Sequence, residues 1–329
     1  FIFQKLGYKA TGMLAAGAVV VGAALGALSA DAGTVLFSRV VEGVGTSLFA
    51  VVAPAVIAMW FAADQRGAPM GIWATWVPIG STAMLILAPL IAQRWGWQSV
   101  WWFGCLFAAA TGILFFLFVR PAPRLAGGAA TASTERASWG ELRRILRNRD
   151  IWLMSLVFCC FNVAFIGFVT WAPTFLNTVR GIPLSQASFL VSLAPMLNIL
   201  SCPVAGVVSD RIGSRKMICV LPLLAMAALW PLAYWTSGAG FVAVIVVLGL
   251  VSGAVPTGVF ASGPEIAGDE RLSGMAMAVL QVGMNAGMLL GPLVLGQIID
   301  SPLGWAGAFG AMVPVSVLGA VVAWTARVR

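Results

Sequence analysis

Apolar runs long enough to cross a bilayer recur ten times along this chain, and that recurrence constrains the fold more than any motif does. A membrane-spanning helix needs about 20 consecutive apolar residues. Such stretches have cores at 10–30, 34–61, 70–92, 98–119, 151–178, 184–208, 217–236, 239–262, 272–298 and 304–326. The runs are long and do not alternate, which argues against the strands of a membrane β-barrel. Charged residues make up 9% of the chain and apolar ones 60%, whereas a soluble domain carries about 25% charge to clothe its surface. A cytosolic enzyme, a disulfide scaffold and a disordered tail are excluded. The expected fold class is all-α, a polytopic membrane protein with ten visible transmembrane helices.

One long polar interval, 120–150, divides four spans from six. Its first part is rich in Pro, Ala, Gly and Thr and reads as linker. From Ser138 onward, Trp139, Leu142, Ile145 and Leu146 form one stripe among arginines, the pattern of a short helix lying in the membrane interface. The expected domains are therefore a four-helix bundle over 1–119, an inter-bundle loop over 120–150 and a six-helix bundle over 151–329.

Threading the spans in alternation puts 16 of the 19 Lys and Arg residues on the side of the N-terminal stub and the 120–150 loop. The opposite side holds Arg94 and Arg180, and Arg39 stays inside a span. The positive-inside rule makes the crowded side cytoplasmic. The expected location is the inner membrane, with the central loop and C-terminus in the cytoplasm. The net charge of +8 is thus topological, and no nucleic-acid partner is expected. Trp95, Trp97, Trp101 and Trp102 cluster at one outer boundary, where interfacial anchors belong.

The chain has no histidine, which removes His–metal sites, His-based triads and His relays. Cys105, Cys159, Cys160, Cys202 and Cys219 lie in apolar segments without metal-ligand spacing and read as small buried hydrophobes. No Walker A pattern occurs, and with one acid well inside a span no catalytic dyad can be assembled. Neither enzyme activity, cofactor nor metal is expected.

An internal repeat emerges from the loops. Residues 206–216 read GVVSDRIGSRK, and residues 4–9, QKLGYK, are a worn copy in which Gln4, Lys5, Gly7 and Lys9 stand at Asp210, Arg211, Gly213 and Arg215. Gly7 and Gly213 are 206 positions apart, and Pro89 and Pro292, each in a span opened by a similar loop, are 203 apart. Two agreeing offsets argue for two homologous halves.

With these motifs the chain resembles the major facilitator superfamily of secondary transporters. Gly206–Lys216 matches the loop signature G-x-x-x-D-[RK]-x-G-[RK]-[RK] except at Ser214. Arg39, Glu42, Gly43 and Gly45 match the fourth-span signature R-x-x-[QE]-G-x-G. The resemblance implies two six-helix bundles rocking about a midplane site, with alternating access. Counted on that pattern, the visible helices are the third to the twelfth, and about two helices' worth of residues is expected to be missing ahead of Phe1. Gly287-x-x-x-Gly291-Pro292 looks like the family's antiporter motif but falls in the eleventh span. The equivalent fifth-span place has Met84, Ala88 and Pro89, which favours symport or uniport.

Arg39 is the sharpest single feature. A charge at mid-span costs roughly 2.5–3.5 kcal/mol on insertion scales, so Arg39 must face a wet cavity or a partner. Glu42, three residues on, shares its helix face. Two readings stand: an internal ion pair that offsets its own desolvation, or a functional site, for a substrate anion or for proton coupling, in which case Glu42 is the carboxylate available to a coupling proton. Gln281 and Asn285, spaced i,i+4, together with Asn162, Thr170 and Asn198, are candidates for a polar cavity wall or for helix–helix hydrogen bonds. Trp171, like Trp73 and Trp76, could line that cavity or face lipid.

Gly206, Asp210, Arg211, Gly213, Arg215 and Lys216 read as membrane anchoring, to which the resemblance adds a gate that latches the halves. Gln4 in place of Asp implies a weaker latch in the first copy. Gly283, Gly287 and Gly291 form a close-packing face, and Pro89, Pro173 and Pro292 are expected bending points.

The expected function is secondary transport of a small solute, an organic anion in kind, by a monomer in the lipid bilayer. The resemblance within the family is to permeases for small organic anions and cyanate-like solutes. The alternatives are a transport-inactive scaffold or sensor on the same fold, or a non-functional fragment.

Overall fold

The computed structural model describes the backbone of residues 2–60, 73, 75–119, 139–212, 214–268 and 270–328. Among them no strand occurs. The chain runs α1 (Ile2–Ala27), α2 (Ala32–Trp60), α3 (Trp76–Trp95), α4 (Gln98–Phe118), α5 (Trp139–Leu146), α6 (Arg149–Thr178), α7 (Leu184–Ile212), α8 (Arg215–Trp235), α9 (Ala239–Ser252), α10 (Ala254–Ala267), α11 (Glu270–Ile299) and α12 (Gly304–Thr325). Nine stretches among the described residues are long and apolar enough to cross a membrane. The remaining expected span is α2, which carries Arg39 and Glu42.

Two features depart from the expected spans. α1 begins at Ile2 and so runs through the QKLGYK stretch as helix instead of starting after it. The expected span at 239–262 falls in one membrane-crossing stretch, Ala239–Ala267, built of two helices, α9 and α10, that meet at Gly253. The cause is local. Pro256 has no N–H to offer the Ser252 carbonyl, so α9 stops there, and the next helix opens with that proline in its first turn, where no donor is needed. Hydroxyls knit the break: Thr257 Oγ1 donates to the Gly253 carbonyl (2.9 Å) and the Cys202 carbonyl (3.2 Å), and Ser201 Oγ donates to the Gly249 carbonyl (3.2 Å). Pro89, Pro173 and Pro292 all lie inside helices that continue past them.

The chain divides into two compact units, Phe1–Val77 with Leu87–Ala132, and Pro78–Ile86 with Ser133–Arg329. In the first, α1 packs along both α2 and α4. Asp31 caps α2: its carboxylate accepts from the Thr34 N–H (2.9 Å) and the Thr34 hydroxyl (2.6 Å).

The second unit is built on α6, which lies along α11 and also packs on α12, while α8 packs on α12 and α7 on α9. Its core holds Phe158, Phe168, Phe175, Leu223, Trp230, Phe241 and Leu248. Buried Trp230 finds the partner its indole needs, donating to Ser316 Oγ at 2.9 Å. Arg180 donates to the Tyr234 carbonyl (2.6 Å) and the Thr236 carbonyl (3.3 Å), satisfying the end of α8. The short helix α5 forms where the amphipathic stripe predicts it, with Ile145 buried in this core and Leu146 exposed. Of the five cysteines, Cys105, Cys160 and Cys219 are buried and Cys159 and Cys202 only partly so; all are free thiols.

Candidate functional site

Arg39 stands two turns into α2, and helical geometry carries Glu42 back beneath it. Arg39 Nη2 lies 2.8 Å from Glu42 Oε1, an ion pair and hydrogen bond in one. A third group completes the cluster from α4. The Trp101 ring lies under the guanidinium, 3.6 Å from ring centroid to Cζ, a stacked cation–π contact of the kind that Arg forms through its planar face. The Arg39 side chain remains 49% exposed and the Glu42 side chain 18%, so the cation has open donors while the carboxylate is mostly covered.

The floor of this cluster is α1. A Cβ at Gly22 would come 2.8 Å from the Glu42 backbone nitrogen and 2.9 Å from the Ser38 carbonyl, and would press on the Glu42 side chain. One turn on, a Cβ at Gly26 would overlap the Trp101 ring. Gly22 and Gly26, spaced i,i+4 on one face, make the room that Glu42 and Trp101 occupy. Trp101 was expected as an interfacial anchor with Trp95, Trp97 and Trp102. Those three are exposed, but Trp101 is partly buried against Gly26 and Arg39.

In the second unit the polar candidates are placed as follows. Asn162 is buried, and its amide donates to the Phe158 carbonyl (2.8 Å) of its own helix. Asn198 is buried and accepts from Ser252 Oγ (2.8 Å), across α7 and α9. Thr170 is exposed and back-bonds to the Ile166 carbonyl. Trp171 donates its indole N–H to the Pro292 carbonyl (2.9 Å) and meets Trp305 edge-on. Asn285 is exposed. Gln281 differs from all of these, because its Oε1 is buried with no hydrogen-bond partner. An orphaned buried acceptor costs about 1–3 kcal/mol and marks a place where a donor is missing. Trp73 is half-buried and Trp76 exposed.

The glycine face of α11 packs backbone on backbone. A Cβ at Gly283 would run into the Ser155 carbonyl, at Gly287 into the Cys159 carbonyl and at Gly291 within 2.6 Å of the Val163 carbonyl. Ser155 Oγ donates across the same seam to the Val279 carbonyl (2.8 Å).

In the loop motif, Asp210 and Arg211 fall in the last turn of α7, their side chains outside the described residues, as is Gly213. Gly206 is loosely placed, 3.8 Å from Thr257 Cγ2 as a Cβ would see it. Ser214, the one mismatch to the signature, caps α8 by accepting from the Met217 N–H (3.4 Å). Arg215 donates to Ser209 Oγ (2.9 Å) and lies 3.9 Å from Glu265 Oε2 on α10. Lys216 sits over Trp324 at 5.3 Å. In the first copy, the side chains of Gln4, Lys5 and Gly7 are outside the described residues, and Lys9 lies 4.4 Å over the Phe116 ring. Trp101, Glu265 and Ser252 were not anticipated as partners, since each meets its neighbour across separate helices.

An all-α chain with nine such membrane-crossing stretches among its described residues is a multi-pass membrane protein. Residues 1–274 match the Major Facilitator Superfamily, and the chain belongs to that family. It is 24% identical over 293 residues to a hexuronate transporter of Bacillus subtilis, covering 84% of this chain and 68% of that protein. It is 24% identical over 315 residues to a glucose-6-phosphate exchanger of Danio rerio, covering 82% of this chain and 63% of the relative. It is 25% identical over 300 residues to a probable sulfoacetate transporter of Cupriavidus necator, covering 83% and 68%. The chain thus spans about two thirds of the length of these relatives.

Proposed function

We propose that this chain serves secondary active transport of a small organic anion, by rocking-bundle alternating access across the inner membrane. The observation that carries the reading is Arg39: a cation two turns into α2, the helix over the expected span 34–61, held by Glu42 on one donor and stacked by Trp101, with about half its side chain uncovered. A guanidinium has five N–H donors in one plane, and the Glu42 contact uses Nη2. The solutes named for the three relatives above, a hexuronate, a sugar phosphate and sulfoacetate, are all anions.

The geometry also suggests the coupling step. A solute anion that takes Arg39 leaves Glu42 without its counter-charge. A lone carboxylate in a low-dielectric span is costly, and a proton from solution removes that cost. Anion and proton then cross together, and reformation of the Arg39–Glu42 pair expels both. On this scheme Gln281, Asn285, Asn162, Asn198 and Trp171 supply the second unit's polar contacts, and Gln281 with its unpartnered Oε1 is the first of them. The Gly206–Lys216 segment acts as the cytoplasmic gate, with the Arg215–Glu265 pair as part of its latch.

The test is uptake of radiolabelled glucuronate, sulfoacetate and glucose 6-phosphate into proteoliposomes. It is run with this chain and with any longer product of the same reading frame, with and without an imposed proton gradient. Proton-stimulated uptake of one of these anions is the expected result. Uptake driven only by the same anion on the other side of the membrane would replace symport by exchange, as the sugar-phosphate relative's name would suggest. No uptake by either form leaves a transport-inactive scaffold on this fold.

A further inference from the structure

Trp101 has no role in any motif of the chain, yet α1 gives up a side chain to accommodate it. A Cβ at Gly26 would overlap the indole, and one turn earlier Gly22 leaves the space beside Glu42. The indole is held against α1 on one side and lies 3.6 Å from Arg39 Cζ on the other. One face of the guanidinium is therefore covered by an apolar wall. Glu42 already shows how a carboxylate meets this group, in line with Nη2 at 2.8 Å. The remaining donors also point along the plane.

We infer that Trp101 is a positioning residue for anion recognition. It fixes the orientation of the Arg39 plane, so that a solute carboxylate or sulfonate is taken edge-on beside Glu42, and it keeps water off the covered face. This rests on the reading of Arg39 as the anion contact and adds what orients it. A freely rotating guanidinium would offer the same charge, but an entering anion would have to spend binding energy on ordering it. Trp101 supplies that order beforehand. A lysine at position 39 has no plane to be oriented, so the effect of Trp101 must depend on the guanidinium.

The experiment is a set of variants of the full chain in proteoliposomes and in detergent. Initial rates of glucuronate, sulfoacetate and glucose 6-phosphate uptake are measured against concentration, and anion-dependent thermal stabilisation is the second readout. W101A is expected to raise the KM for the transported anion about tenfold with Vmax within about twofold, and W101F, which keeps an aromatic face, to stay within about threefold of the unmodified chain. In an R39K background, W101A should change the residual stabilisation less than about twofold.

G26A should mimic W101A by displacing the ring, and the double variant G26A/W101A should melt like W101A and bind no worse. Two results overturn the inference while leaving the Arg39 reading intact: an unchanged KM in W101A when R39A has lost uptake, or equal effects of W101A with Arg and with Lys at position 39. Absence of anion-dependent stabilisation or uptake in the unmodified chain overturns the Arg39 reading and this one together. W101A itself melting within a few degrees of the unmodified chain shows that its loss is not a folding defect, and a W101A that melts far lower with its KM restored in W101F makes Trp101 a packing residue and overturns the inference.

Discussion

The two units use glycine for opposite ends. On α11 of the second unit, Gly283, Gly287 and Gly291 let two helices touch backbone to backbone, and the seam between α6 and α11 carries the Ser155 hydroxyl and Trp171 indole bonds to carbonyls, with no ion pair among the described residues. On α1 of the first unit, Gly22 and Gly26 also let helices approach, but what fills the space is the Glu42 side chain and the Trp101 ring, the two groups that hold Arg39. Close packing of small residues is the usual means of helix association in lipid. In the first unit the same device lodges a charge cluster, which lipid alone would not tolerate. A glycine repeat thus says that something approaches closely, and only the neighbouring helix says whether that something is structure or chemistry.

The comparison breaks first at the α6–α11 seam. Gly283→Leu and Gly287→Leu would drive several atoms into the Ser155 and Cys159 carbonyls, which belong to backbone and cannot rotate away. Overpacking costs about 1–3 kcal/mol even for modest insertions. Loss of folded protein in the membrane, read by fluorescence-detected size exclusion, is the expected outcome. Normal expression of both would mean the two helices are not held at this distance. In the other unit, Arg39→Ala should do the reverse, abolishing uptake while leaving membrane expression intact, because removing Arg39 takes away a charge and leaves the glycine packing alone. Uptake like that of the unmodified chain would remove Arg39 from the site. Loss of expression would make the pair structural and erase the contrast between the units.

What could be read from the sequence follows the range of the forces involved. The spans were legible because each is set by some twenty neighbouring residues. The Arg39–Glu42 pair was legible because i,i+3 geometry on one helix brings its members together. The short amphipathic helix α5 was legible for the same local reason. Trp101 was not, since its contact with Arg39 depends on α4 lying against α1, more than 60 positions away in the chain. Glu265, facing Arg215, and Ser252, donating to Asn198, were missed on the same ground. The helix break at Gly253 had a local signal, Gly253 with Pro256, which the continuous apolar run concealed.

A smaller effect sharpens the comparison from the second unit. Gln281→Leu removes the orphaned Oε1 from a buried position. If the amide is there to meet a solute, the variant should be as stable as the unmodified chain or more so, by about 1 kcal/mol, and impaired in uptake. A variant that melts lower and transports normally would give Gln281 a packing role, like Trp171.

The smallest expected effect lies at the N-terminus of α2, where Asp31 caps the helix that carries Arg39. The Thr34 hydroxyl, and then the Thr34 N–H, hold the Asp31 carboxyl below its usual value of 3.8. A carboxylate whose pKa is lowered by folding adds stability that is complete above the unfolded value and is lost as pH falls through the lower folded one. Asp31→Asn keeps an amide oxygen for the Thr34 N–H and removes the titration. Its melting temperature should therefore trail that of the unmodified chain slightly at pH 7, and the gap should close as pH falls through the lowered folded value. A gap that persists into acid would mean the cap acts through shape alone, and a change in glucuronate KM in this variant would mean that the first turn of α2 helps set the Arg39 plane alongside Trp101.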